Sequence, residues 1–355
     1  MKYLGIALVA AVAAFLLSPL LLHEPAAPAP RPGRDLESRF PAQTSDFKRP
    51  AAEDPRWREK RGHAFSLEGR DESDPDSDPR WRRILAGRPK LRPAPKACAK
   101  CHGVSRPIGC PDCHDPESAV RTVACSECHR EYYLAPALAF PTGRTMDEIE
   151  TFYTAAGHRD WENAETGAAV LLPQHPQSEM YSRGVHARGG ASCPDCHMPS
   201  VRRGALRVTE HNARSTLQQI GPACLACHRE SEEEMRQRVA LIQRRTEDLL
   251  NRAEDALVAL IDEIHAARAR GVRESQLAPA LAMQTKAQWR AAFVAADKSK
   301  GFHAPQEAAR ILAEAIDYAR QGQLIADRSL AVAARELHET ATFHGVPHGP
   351  AAHQR

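Results

Sequence analysis

Aromatic side chains are scarce in this 355-residue chain, at 5%, and its mean hydropathy is −0.50. The length would hold two ordinary domains, but the chain is poorly supplied for two apolar cores built from side chains alone. A strong charge excess is also missing: the formal net charge is +3, which excludes the basic footprint of a nucleic-acid-binding protein. Long hydrophobic runs are absent apart from Tyr3 to Leu22, which follows Lys2 and precedes His23-Glu24 and a proline-rich stretch. No cysteine stands alone.

All ten cysteines fall into five Cys-x-x-Cys-His motifs. They are Cys98-Ala-Lys-Cys101-His102, Cys110-Pro-Asp-Cys113-His114, Cys125-Ser-Glu-Cys128-His129, Cys193-Pro-Asp-Cys196-His197 and Cys224-Leu-Ala-Cys227-His228. Two thiols at this spacing attack the two vinyl groups of a haem, and the adjacent histidine reaches the iron from the same side. Zinc sites draw four ligands from paired clusters, and five separate motifs do not pair off evenly. A disulfide framework would not require a histidine after every second cysteine. The motifs therefore point to five covalent haems.

Covalent haem attachment belongs outside the cytoplasm, and the N-terminal run reads as an export signal. Residues 1–24 serve equally as a cleaved signal peptide or a retained membrane anchor. Either choice places the working part of the chain in the periplasm. Each porphyrin brings a broad apolar face around which short segments can pack, which makes good the shortage of apolar side chains. Five haems also add about ten propionate charges against about five on ferric cores, taking the holoprotein to roughly −2.

Residues 25–56 form a proline-rich linker, and 57–230 carry the five motifs. Only seven residues separate His102 from Cys110 and ten separate His114 from Cys125, so neighbouring haems are forced close together. A helical segment is expected over Met146–Ala156. Ser231 with Glu234 forms a capping-box pattern that opens a long helix ending at Gly271. Along it Met235, Val239, Ile242, Leu249, Ala253, Leu257, Leu260 and Ile264 recur at helical steps. Further helices are expected over about 274–296 and from Pro305 to about Leu337. Residues 231–340 are thus a long-helix region, and 341–355 a flexible tail. The fold class is mainly α: a multihaem cytochrome c closed by long C-terminal helices.

Five histidines outside the motifs sit in distinctive local sequence: His63, His175, His186, His211 and His303. The segments Arg61-Gly62-His63-Ala64-Phe65, Cys128-His129-Arg130-Glu131-Tyr132-Tyr133, Gln174-His175-Pro176, Gly184-Val185-His186-Ala187, Cys193 to Pro199, and Phe302-His303-Ala304-Pro305 occur in a characteristic order. In these the chain resembles the ammonia-forming pentahaem cytochrome c nitrite reductases, from about Trp57 to about Ala334. The resemblance implies that the first motif holds the active haem, with His102 proximal and the other face open. Many members carry lysine in place of that histidine. It also implies distal ligands: His211 for the second haem, His63 for the third, His303 for the fourth and His186 for the fifth.

Tyr132 and His175 match the family's distal-pocket tyrosine and histidine. The pocket arginine matches Arg83 best, with Arg82 the alternative. A calcium ion beside the pocket would take the Glu131 carboxylate, the Gln174 amide and the backbone carbonyls of Tyr132 and Leu172, where members usually have lysine at position 172. The implied reaction takes nitrite to ammonium with six electrons and eight protons, and hydroxylamine and nitric oxide are further substrates to expect. Implied partners are a membrane quinol-oxidising cytochrome or a small multihaem electron donor, and a second copy of the chain in a homodimer whose interface is the long-helix region 231–340, built mainly on the Met235–Ile264 stripe and the helices after it. The alternatives are a pentahaem electron carrier without turnover and a reductase of another small nitrogen or sulfur oxyanion. The segments between the first three motifs are much shorter than in the best-known members, so the surroundings of the active haem are expected to differ.

Overall fold

A computed structural model describes residues 78–89, 125–126, 129–131, 145–211 and 215–343, with side chains described to residue 336. His63, Cys98, Cys101, His102, Cys110, Cys113, His114, Cys128 and Tyr132 lie outside the described residues, as do the N-terminal segment 1–24, the linker 25–56 and the end of the tail.

The described elements run in the order α1 (Pro79–Ile84), α2 (Met146–Ala155), β1 (Trp161–Glu162), β2 (Ala169–Val170), α3 (Gln177–Arg183), α4 (Val185–Arg188) and α5 (Cys193–His197). Then come β3 (Ser200–Arg203), β4 (Leu206–Thr209), α6 (Ile220–Cys224), α7 (Glu232–Ala269), α8 (Glu274–Ala296) and α9 (Pro305–Phe343). The strands form two antiparallel hairpins, with Trp161 opposite Val170 in one and Arg202 opposite Arg207 in the other. The molecule is mainly helical, as the periodicity implied.

Local chemistry sets the helix limits. Ser231 Oγ accepts the Glu234 N–H at 3.2 Å while the Glu234 carboxylate accepts the Ser231 N–H at 2.8 Å, so two orphan donors of α7 are satisfied. At the other end Gly271 takes φ +85°, and the N–H of Val272 closes back on the Ala267 carbonyl at 3.1 Å. Helix α9 runs six residues beyond the expected end near Leu337. Glu336 to Phe343 contains neither glycine nor proline, and the breakers Gly345 and Pro347 come only afterwards.

Helices α7, α8 and α9 pack together. Leu260 and Ile264 of α7 meet Leu277 of α8 in one cluster, and Leu257 and Ile261 meet Trp289 and Phe293 of α8 and Ile311 and Leu312 of α9 in a larger one, all buried. Of the expected stripe on α7, only Ile242 and Leu249 remain partly exposed. The stripe is therefore interior packing within one chain. Ile84, Met146, Ile149, Val170 and Met180 join the same core, so the change of composition near residue 230 does not divide the core. Arg290, nearly buried on α8, is paired with Asp147, Glu150 and Glu314 at 2.9–3.2 Å and stacks over Tyr318 at 4.6 Å. This fastens α2 and α9 to α8, because a buried guanidinium left without its carboxylates would be costly.

Helix α1 docks on α7 through Trp81, whose indole N–H donates to Glu254 at 2.7 Å. Arg80 lies 2.8 Å from the other Glu254 oxygen, a charge contact without an aligned hydrogen bond. Burial outweighs the pull of Arg80 and pushes the Glu254 carboxyl up to about 7. A carboxyl raised in the folded state contributes stability that is full below its unfolded value and is lost as pH rises through the folded one. Between pH 5 and pH 8 the thermal midpoint should therefore fall by an amount that Glu254→Gln removes; identical slopes in the two proteins would refute this. Each tenfold difference in proton affinity between the folded and unfolded chain corresponds to about 1.4 kcal/mol.

Candidate active site and haem ligands

The motif cysteines among the described residues are Cys125, Cys193, Cys196, Cys224 and Cys227, and no disulfide joins any of them. In the motifs the chain turns helically, with His129 N–H bonded to the Cys125 carbonyl at 2.8 Å and His228 N–H to that of Cys224 at 2.9 Å. This turn presents both thiols and the histidine to one side. The fourth and fifth motifs adjoin. Gln219 donates to the His197 carbonyl at 3.2 Å.

Across from these motifs stand two of the histidines singled out in the sequence. The rings of His197 and His303 are 6.5 Å apart between centroids, and those of His186 and His228 are 6.1 Å apart. A metal bound by two imidazoles at the usual ~2 Å per nitrogen separates the ring centroids by about 6 Å. The residues thus fit an iron between each pair. The family resemblance assigned His303 to the fourth haem and His186 to the fifth, and these are the rings that stand near His197 and His228. Gly184 makes the arrangement possible. It joins α3 to α4, and a Cβ there would overlap the His303 carbonyl oxygen, so only glycine lets the His186 segment close on the His303 loop.

His211 follows β4, and its Nδ1 lies 2.7 Å from the Thr209 carbonyl. A donated bond there fixes the tautomer and leaves Nε2 as the metal-binding nitrogen. Its implied partner His114, and the His63 partner of His129, lie outside the described residues.

A second cluster surrounds Glu131, which is buried. One of its carboxylate oxygens accepts the N–H of Gln174 at 2.7 Å and of His175 at 3.3 Å, and the other meets the Tyr153 hydroxyl at 3.5 Å. The Leu172 N–H donates to Asp160 at 2.7 Å, and Gln288 brackets Leu171 by accepting its N–H at 3.1 Å and donating to its carbonyl at 2.8 Å. The segment 171–175 is therefore clamped by its own backbone donors. Glu131 N–H in turn donates to buried Glu179 at 3.1 Å.

Burial pushes the Glu131 carboxyl well above the usual carboxylate range, and the charges of Glu179 and Asp160 add to this against the bonds from Gln174 and His175. Burial raises Asp160 and Glu179 as well. Burial thus holds these carboxyls toward their neutral form, and only a cation beside them would favour the charged one. Among the described residues no three His, Cys, Asp or Glu side chains converge on one point. A cation here would rest on Glu131 and on neutral oxygens, the Leu172 carbonyl and the Gln174 amide, whose nitrogen lies 3.0 Å from that carbonyl. Such an all-oxygen set suits a hard ion such as calcium.

Arg83 is ion-paired. Its guanidinium bonds Glu165 at 3.0 Å and Asp262 at 2.8 Å on the outer side of α1, and Arg82 is exposed. The apolar face of α1 turns Trp81 and Ile84 into the core, which carries Arg83 toward α7. Asp160, Tyr153, Glu179 and Gln288 had no signal in the sequence, because each acts through a contact with residues distant in the chain.

The profile of the cytochrome c552 family matches residues 117–342. The chain belongs to that family. It is 35% identical over 260 residues to cytochrome c-552 of Bacteroides thetaiotaomicron, covering 64% of this chain and 53% of that protein. Against cytochrome c-552 of Porphyromonas gingivalis it is 34% identical, with 64% and 52% covered. It thus spans about half the length of the curated relatives it matches. A solved cytochrome c nitrite reductase from Desulfovibrio desulfuricans, whose catalytic subunit is described with two calcium sites, superposes with a TM-score of 0.58. There the identity is 26%, with 62% of this chain and 57% of that one covered. This member of the family is accordingly a c-type cytochrome carrying haem c, of the nitrite-reductase type of fold.

Proposed function

We propose that the protein is a periplasmic pentahaem cytochrome that reduces nitrite to ammonium at an open haem on the first motif. The observation that carries the reading is the clamp on segment 171–175. It holds His175 by its backbone on Glu131, the residue that precedes Tyr132, while the His186 and His303 rings face those of His228 and His197. Bound haems would supply the electrons and an open iron to receive the substrate nitrogen. The chain supplies the rest.

His175 and Tyr132 steady the nitrite oxygens by hydrogen bonds and hand over protons as N–O bonds break. Glu131, with Gln174 and the Leu172 and Tyr132 carbonyls, binds calcium and keeps these two donors in register. Arg83, engaged by two carboxylates, holds α1 on α7. Electrons arrive from a membrane quinol-oxidising cytochrome or a small multihaem protein.

Mass spectrometry of the mature holoprotein should find five covalent haems, and reduced viologen with nitrite should yield ammonium. Four or fewer haems in a maturation-competent host would overturn the pentahaem reading. No ammonium, with all five irons six-coordinate, would make the protein an electron carrier.

The homodimer is part of the same proposal. Since the α7 stripe is interior, the surface offered is the exposed apolar side of α9 at Leu324 and Val332, 56% and 46% exposed. Sedimentation velocity at micromolar concentration should show two chains, and a monomer would remove this part.

A further inference from the structure

The His303 ring is held from behind. Its Nδ1 lies 2.9 Å from Asp297 Oδ1, and Asp297 is 1% exposed. Asp297 ends helix α8, and the turn that follows brings Ser299 back onto it. Ser299 Oγ donates to Asp297 Oδ2 at 2.6 Å, and His303 N–H donates to Ser299 Oγ at 3.0 Å. Asp297, Ser299 and His303 thus form one closed set of hydrogen bonds behind a histidine that faces His197. His211 is oriented differently, by the backbone carbonyl of Thr209. One histidine is backed by a neutral dipole and the other by a buried carboxylate.

A carboxylate at this place is doubly unfavourable by itself. It is out of water, and it sits at the C-terminal end of a 23-residue helix, the negative end of the helix dipole. Positive charge on the far side of the imidazole relieves both costs. An imidazole N–H donating to a carboxylate becomes a more basic, more electron-rich ligand through its other nitrogen. Both effects favour the ferric over the ferrous state of an iron held between His197 and His303.

We propose that Asp297 is a positioning residue that lowers the reduction potential of the fourth haem through His303, setting it below the haem served by His211. The inference rests on haem attachment and on the His197–His303 pairing, and holds whether or not nitrite is the substrate. Haem potentials respond to such hydrogen bonding and buried charge as well as to the ligands themselves. The fourth haem then acts as a low-potential site within the chain of haems.

The test is a potentiometric titration of the purified holoprotein, with individual low-spin haems followed by electron paramagnetic resonance. Asp297→Asn keeps an acceptor and removes the charge, so a single haem should shift upward in midpoint while haem content and the other midpoints stay in place. Ser299→Ala strips a hydrogen bond from the carboxylate and leaves more charge for His303, so the same midpoint should shift downward. Asp297→Glu should restore most of the wild-type value. Unchanged midpoints in the Asn and Ala variants, with bis-histidine spectra intact, would overturn the proposal, as would movement of every haem together. Should Asp297→Asn lose haem, the sign of the Ser299→Ala shift decides. Loss of nitrite turnover with midpoints behaving as stated would count against the proposed function alone.

Discussion

His175→Asn should lower nitrite turnover by roughly a hundredfold, the loss expected for a positioned proton donor. Haem content should remain at the wild-type level. The backbone N–H of residue 175 still finds Glu131, so the clamp on segment 171–175 persists and only the ring chemistry is removed. Spectra and turnover measured on one sample separate the two roles open to this histidine. As a pocket residue, its replacement leaves the four low-spin signals and the open-haem signal as they were. As a sixth ligand of the first haem, its replacement would create a new high-spin signal and mark the protein as a carrier.

Glu131→Ala should be the most damaging single change outside the haem ligands. It leaves the half-buried N–H groups of Gln174 and His175 without their acceptor, each at up to about 1–3 kcal/mol, for a combined cost of at most about 2–6 kcal/mol. His175 is positioned through that same bond, so turnover should fall together with the thermal midpoint. Glu131→Gln keeps an acceptor and should retain most of the stability while losing the cation. Treating the wild-type holoprotein with a calcium chelator should then reproduce the Gln variant's midpoint, and calcium should restore only the wild type. A chelator without effect on midpoint or turnover would show that the clamp works without a metal.

These two changes differ in what the sequence could say about them. His175 is legible as a candidate because Gln174-His175-Pro176 falls in its place within an ordered set of motifs. The reason it stays in place is not legible. Leu171 is bracketed by Gln288, 117 positions away, and Leu172 is tied to Asp160. Nothing in the spacing of one of three glutamines on a long helix announces that its amide will imitate a neighbouring strand. The same holds for Asp297, whose six-residue separation from His303 matches no helical or strand period. For Arg83, too, the sequence could not name the partners, because the apolar face of α1 decides its direction and turns it toward Asp262.

By itself the sequence determined the covalent chemistry and the helical frame. A Cys-x-x-Cys-His motif signals haem c attachment within five residues, and the capping box at Ser231, the breaker at Gly271 and the step of the apolar residues define α7 locally. Such features depend on neighbours in the chain, so they can be read along it. Only the tertiary structure decided which histidines face which, that the α7 stripe is interior, and that Glu131, Asp160 and Glu179 share one buried region. Those outcomes depend on how α7, α8 and α9 pack and on the close approach permitted by Gly184, where side chains far apart in sequence are desolvated together and must find partners there.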